Sequence, residues 1–304
     1  MLGHSMESQN FKIILLNLAS GMKVQLGNHR SLWLLLAGLL CLWNTALLWL
    51  SHTPDILQCI NLLLWLGILI ALEDQLPSLC PRPSKFSAFL GFSLLTLAIL
   101  RGSAPIHQYD KFLSLALPFI ALGLCLLNRP IGDWKLFRKP LAIAFLWLAF
   151  TPVGIFLGWS LSNILPNLSA FFTWLLLYGL GLKATVSGQK VLMGSGGVDV
   201  YPPCAGLEQI TFSLFIVVIF LIVFPLRKKG NIFAVLALSV PIAVLCNVVR
   251  LALLAYFTSW PDGSGMGLFD FFHESHGSLI FSLISGSFVG YLYLLTLDRE
   301  LLVK

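Results

Sequence analysis

Apolar residues in this chain come in long, nearly unbroken runs rather than in the single stripe of a soluble amphipathic helix or the alternation of a half-buried strand. Eight runs, over residues 32–49, 56–72, 86–100, 112–127, 141–157, 206–224, 232–255 and 278–297, are of the length that crosses a membrane. A crossing helix needs about 20 apolar residues, somewhat fewer when its flanks help, and in lipid only a helix or a closed barrel satisfies its own backbone groups. The pattern predicts an all-α polytopic membrane protein of about eight transmembrane helices. A ninth apolar stretch, 168–182, carries Trp174 and Tyr178. These rings suit a membrane–water interface, and the stretch is expected to lie along the outer face without crossing. Beyond it, residues 189–193 and 198–201 flank Gly194-Ser195-Gly196-Gly197, which reads as strand, turn, strand and predicts a small β-hairpin. Residues 1–30 hold only a brief apolar patch, 11–18, and are expected to form a cytoplasmic tail. No repeat or low-complexity tract divides the rest, so 1–304 reads as one transmembrane domain with 165–297 as its catalytic half.

Composition agrees with lipid as the solvent. Charged residues make up 11% and hydrophobic ones 58% of the chain, whereas about a quarter of a soluble domain is charged. The formal charge of +6 does not indicate nucleic acid, because the basic residues are scattered between apolar runs and form no stripe. They mark topology instead. With eight spans and the N-terminus inside, every Lys and Arg except Arg101, Lys111, Lys183, Lys190 and the intramembrane Arg250 falls on the cytoplasmic side. A crossing by 168–182 would put either Cys204 or the Arg227-Lys228-Lys229 cluster on the wrong side. The C-terminus is therefore also inside. The six cysteines, Cys41, Cys59, Cys80, Cys125, Cys204 and Cys246, contain no C-x-x-C pair and no zinc spacing, so neither a disulfide framework, a metal nor a cofactor is expected.

Three features of the last hundred residues fall on the outer side. Cys204, in Tyr201-Pro202-Pro203-Cys204-Ala205-Gly206-Leu207, precedes the sixth span, where unpaired helix N–H groups favour a thiolate and can bind a developing oxyanion. A buried cysteine is more often inert. Arg250 lies in the outer third of the seventh span, where a guanidinium costs roughly 3 kcal/mol or more unless it meets water or an anion. Snorkelling to the headgroups is the plainer explanation. Asn247, three residues earlier and on the same helical face, can orient that guanidinium or bind a substrate carbonyl. His273, in Asp270-Phe271-Phe272-His273-Glu274-Ser275-His276-Gly277, can act as general base and then acid, with His276 as the alternative base. A solvated loop histidine is the bland reading here, and a metal site lacks a third spaced ligand. Convergence of Cys, Arg and His on one face of a membrane carries more weight than any of the three alone.

In this order the residues resemble the exosortase/archaeosortase family. The matching stretches are Cys204-Ala205-Gly206-Leu207, Asn247-Val248-Val249-Arg250 and His273-Glu274-Ser275-His276-Gly277, with Pro202-Pro203 and the residues after Gly277 similar to the cyanobacterial branch, the cyanoexosortases. Ala205 departs from the serine common in the family at that place. The resemblance implies a multi-pass enzyme of the plasma membrane with its site facing the exterior. Such an enzyme cleaves exported proteins that carry a C-terminal sorting signal, made of a Pro-Glu-Pro-like motif, one transmembrane helix and a basic tail, and transfers the new C-terminus to a lipid or glycan acceptor. It assigns Cys204 as nucleophile, His273 as base and Arg250 as the group that stabilises the oxyanion or positions the carbonyl, with Gly206 and Asn247 at the substrate. Membrane lipids surround such a protein. The competing class is a transporter for an anionic substrate that uses the intramembrane Arg250, but there is no internal two-fold repeat and few charged or broken positions lie at mid-membrane depth.

Overall fold

The computed structural model describes residues 29–73, 83–103 and 113–302. The expected tail, apart from its last two residues, lies outside the described residues, as do Cys80, Arg82 and Lys111. The helices are α1 (His29–Leu50), α2 (Asp55–Glu73), α3 (Lys85–Gly102), α4 (Leu113–Asn128), α5 (Arg138–Leu161), α6 (Leu165–Gly179), α7 (Leu207–Val223), α8 (Lys229–Thr258), α9 (Met266–His273) and α10 (Ser275–Leu302). Between α6 and α7 lie the strands β1 (Ala184–Ser187), β2 (Lys190–Met193) and β3 (Gly196–Asp199). Six of the helices, α1, α2, α3, α5, α8 and α10, are long and apolar enough to cross a membrane, and α4 and α7 are shorter apolar helices. These eight match the eight runs read from the sequence, the last beginning at Ser275 rather than at residue 278.

In lipid, apolar side chains gain little from leaving their solvent, so helices associate through close packing of small residues and through polar bonds. Both devices are present. Trp65 Nε1 donates to Asn44 Oδ1 at 3.0 Å and Asn61 Nδ2 to Thr45 Oγ1 at 3.3 Å, joining α1 to α2. A Cβ on Gly91 of α3 would stand 2.9 Å from the carbonyl oxygen of Gly123, which brings the α4 backbone against it. A first buried cluster, built on α1 to α5, extends onto Phe212, Phe215, Ile216 and Ile219 of α7. A second joins α6, the sheet, the start of α7 and the second half of α8. Helix α7 is therefore the element the two clusters share.

Helix α6 does not join the eight. Near its start Ser169 Oγ donates to Ala205 O, just before α7, and further along Trp174 Nε1 donates to Ala184 O of β1. The sheet in turn touches the end of α8, so both ends of α6 lie on the same side of the bundle. The predicted hairpin is β2–β3, with Met193 opposite Gly196. A third antiparallel strand, β1, was not foreseen. It pairs Ala184 with Met193 and Ser187 with Lys190, and its four residues alternate but are too short a run, directly after an apolar helix, to stand out. Both two-residue turns open on glycine, Gly188 at φ 60° and Gly194 at φ 59°, a left-handed position that hairpin turns of this length require. Gly197 N donates to Thr258 Oγ1 at 2.9 Å, and a Cβ on Gly196 would collide with the Thr258 carbonyl. The sheet is thereby seated on the last turn of α8.

Candidate active site

Cys204 stands at the junction of the sheet and α7. Pro202 and Pro203 open a single 3₁₀ turn, Pro202–Cys204, and Cys204 N donates to Tyr201 O at 2.9 Å, so the chain folds back on itself before the helix begins. Proline suits this place because its fixed φ matches a turn and no N–H is lost from it. Gly206 then takes φ 95°, and a Cβ there would lie 3.0 Å from the Asn247 side chain. Glycine is required on both counts. Cys204 itself is buried.

His273 is the last residue of α9. Phe269, one turn earlier, stacks on its ring at 5.1 Å between centroids and 13° between planes, which fixes the direction of the imidazole. The backbone turns sharply at Glu274 and enters α10. A Cβ on Gly277 would collide with Phe271 O and Phe272 Cα, so the glycine four residues after the histidine is what lets α10 pack against the end of α9.

These two turns meet. Cys204 Sγ lies 3.8 Å from His273 Nε2, across 69 positions of sequence. Tyr201 Oη lies 3.5 Å from the same nitrogen. The sulfur and imidazole are within reach of proton transfer, and such contacts are commonly long before substrate is bound.

Helix α8 holds both turns from beneath. Asn247 Nδ2 donates to Cys204 O at 3.0 Å, while Arg250 donates from Nε to Phe272 O at 2.9 Å and from Nη2 to His273 O at 3.0 Å. Residues three apart on a helix share a face, and here that face clamps the Cys204 carbonyl with one side chain and the Phe272 and His273 carbonyls with the other. The sequence suggested that Asn247 orients the guanidinium or meets a substrate. Its amide nitrogen goes to the Cys204 carbonyl, and its Oδ1 is buried with no hydrogen-bond partner among the described residues. Arg250 is only 3% exposed, so the guanidinium is inside the protein and does not snorkel. Two of its donors are spent on main-chain oxygens, which satisfies the buried charge without an acidic partner in direct contact. Its charge still acts on Cys204, Glu208 and Tyr201.

Glu208, in the first turn of α7, is half-buried and accepts from Ser278 Oγ at 3.3 Å. His276 points elsewhere: its Nδ1 is 2.6 Å from Asp55 Oδ2 at the start of α2. Among the described residues no cluster of His, Cys, Asp and Glu could hold a metal ion. The structure thus brings Cys204, Asn247, Arg250, Gly206 and His273 together and leaves His276 outside. Tyr201 and Glu208 were missed. The prolines after Tyr201 were the available signal, since a forced turn brings that hydroxyl to His273.

Against known proteins, the model of a family described as transmembrane exosortase matches residues 49–290 of the chain. No curated protein and no solved structure matches it.

Proposed function

The chain belongs to the transmembrane exosortase family, and from that premise we propose that it is a membrane-embedded cysteine protease and transpeptidase. Its substrates are exported proteins with a C-terminal Pro-Glu-Pro-type sorting signal, which it cuts at the outer face of the plasma membrane, passing the new C-terminus to a lipid or glycan acceptor. The observation that carries this reading is the approach of Cys204 Sγ to His273 Nε2 at 3.8 Å, with both turns tied to one helix.

In this reading the thiol of Cys204 gives its proton to His273 Nε2 and the sulfur attacks the scissile carbonyl carbon. The C–N bond breaks, the departing amine takes the proton back from His273, and a thioester to Cys204 remains. An acceptor amine, hydroxyl or water then loses a proton to His273 and displaces the sulfur, which regains that proton as a thiol. Arg250 holds His273 through the backbone and sets a positive charge beside the oxyanion as it forms. Asn247 fixes the Cys204 turn, and Gly206 allows α7 to begin against Asn247.

Charge supports the outward orientation. Cys204, His273 and the last two turns of α8 lie at one end of α7, α8 and α10, and Arg227, Lys228, Lys229 and Arg299 lie at the other. Basic residues collect on the cytoplasmic side. The position also argues against a carrier, whose site sits near the bilayer midplane among broken helices.

The test is an exported reporter ending in a Pro-Glu-Pro motif, a transmembrane helix and a basic tail, expressed with the wild-type chain or with Cys204→Ala. Shortening by wild type alone supports the proposal. Identical reporters in the two strains, with both chains inserted, would reject it for this class of signal.

A further inference from the structure

Among the described residues no carboxylate serves His273 as the third member of a cysteine–histidine site. The hydrogen-bond partners of its ring, Cys204 Sγ and Tyr201 Oη, both lie at Nε2, and no acid meets Nδ1 to orient the base or to balance the charge it gains. What meets the ring instead is an aromatic face. Phe269, one turn earlier on α9, has its ring 5.1 Å from that of His273 between centroids and 13° from parallel, the offset arrangement of a stacked pair. We propose that Phe269 is a positioning residue of this site, whose ring face holds the imidazole toward Cys204 and stabilises the imidazolium formed when Nε2 takes the thiol proton. The proposal rests on His273 being the base of the proposed reaction.

Three features support it. The face of a phenyl ring is negative and attracts a cation within about 6 Å of its centre, so a near-parallel ring at this distance favours the charged imidazole over the neutral one. Phe269 is itself held: its N donates to Gly265 O at 2.9 Å, its ring packs against the second buried cluster, and a Cβ on Gly265 would collide with Phe257 O, so α9 begins flush against the end of α8. The backbone of His273 is fixed by Arg250 Nη2 on its carbonyl, which leaves only the side-chain rotations free, and the stack restrains those. The charged and titratable groups around the imidazole are Cys204 and Tyr201 from the turn before α7, Glu208 of α7, Arg250 of α8, and Asp270 and Glu274 on and just after α9, while His276 of α10 is taken by Asp55. Replacing Phe269 changes none of them. Core packing alone also accounts for a half-buried phenylalanine, but it gives the π face no role. Phe269→Leu keeps apolar bulk and removes that face, and Phe269→Tyr keeps it.

The experiment is modification of His273 by diethylpyrocarbonate, which acylates neutral imidazole, in membranes containing the full-length chain with Cys204→Ala, so that no thiol titrates with the ring. The rate at His273 is read by mass spectrometry from about pH 5 to about pH 8, a range that brackets imidazole ionisation. Phe269→Leu is expected to move the midpoint of that profile to lower pH by about half a unit, the size of one cation–π contact, because the neutral ring then persists to greater acidity, while Phe269→Tyr keeps the midpoint. Coincident midpoints in all three chains overturn the proposal, as does an equal displacement in both variants, which signifies altered packing, or a rate change that is the same at every pH, which signifies altered access. Reporter processing by chains that retain Cys204 separates this from the functional reading. A displaced midpoint with no processing by wild type leaves Phe269 in its place beside His273 and removes the sorting-signal substrate. Processing with coincident midpoints keeps the substrate and removes Phe269.

Discussion

The two ends of the α7, α8 and α10 trio use polar groups in opposite ways. At the end bearing Arg227 and Lys228, the Glu300 carboxylate accepts from Arg227 N at 2.7 Å, Lys228 N at 3.1 Å and Asn231 Nδ2 at 2.7 Å, and Tyr293 Oη donates to Phe224 O at 2.6 Å. These are short bonds in which the side chains themselves are used up, those of Glu300 on the residues that lead into and begin α8 and that of Tyr293 on the residue that ends α7. At the end bearing Cys204 the short bonds, 2.9 to 3.0 Å, go to main-chain carbonyls of residues 204, 272 and 273, while His273 Nε2 stands 3.8 Å from Cys204 Sγ and 3.5 Å from Tyr201 Oη. A structural polar cluster satisfies its functional atoms. At the Cys204 end the backbone is fixed beneath the side chains and those atoms are left for the substrate of the proposed reaction.

The contrast can be broken by substitution, beginning where the effect is largest. His273→Ala is expected to lower reporter processing about 10²- to 10⁴-fold, the range of a lost acid–base group, with little change in melting temperature in detergent. Unaltered processing would remove His273 from the chemistry. Arg250→Lys keeps the charge and loses the planar fork, so Phe272 O and His273 O can no longer both be held in the same way. A displaced base costs on the order of 10²-fold, and here the melting temperature is expected to fall too; full activity in this variant contradicts the clamp. Glu300→Gln is expected to do only the second of these things, lowering melting temperature by a few degrees while processing per folded molecule holds, because the amide must turn a donor toward one of three donors. His276→Ala gives the smallest effect. Its pair with Asp55 is at the surface and worth about 0–1 kcal/mol, so processing should stay within about twofold of wild type. A collapse of activity in His276→Ala together with an active His273→Ala would exchange the two roles.

Much of this architecture was legible because lipid simplifies the code. A span must satisfy its own backbone and expose apolar side chains, so runs of Leu, Ile, Phe and Val announce the eight helices, with ends that differ from the runs by up to five residues. The site was legible as a set, since Asn247 and Arg250 are three apart on one helix and Gly206 and Gly277 follow Cys204 and His273 at fixed steps. What they do was less legible. Spacing shows that Asn247 and Arg250 share a face, but only packing shows that the face meets two carbonyls, one from before α7 and one from the end of α9. Tyr201 was hidden for a similar reason: three residues from Cys204 in an extended chain it would point away, and a single 3₁₀ turn brings its hydroxyl to 3.5 Å from His273 Nε2. β1 was hidden because its alternation, Ala184-Thr185-Val186-Ser187, lasts only four residues and follows directly on an apolar helix.

The most direct test of the central claim is to look for the thioester. Membranes containing the wild-type chain, mixed with a reporter that carries the C-terminal signal and quenched in acid, would be digested and searched by mass spectrometry for the reporter's new C-terminus on the peptide containing Cys204. The account predicts an adduct on Cys204 that hydroxylamine removes and that Cys204→Ala cannot form. An adduct on a different residue, or a shortened reporter in the Cys204→Ala strain, would contradict it.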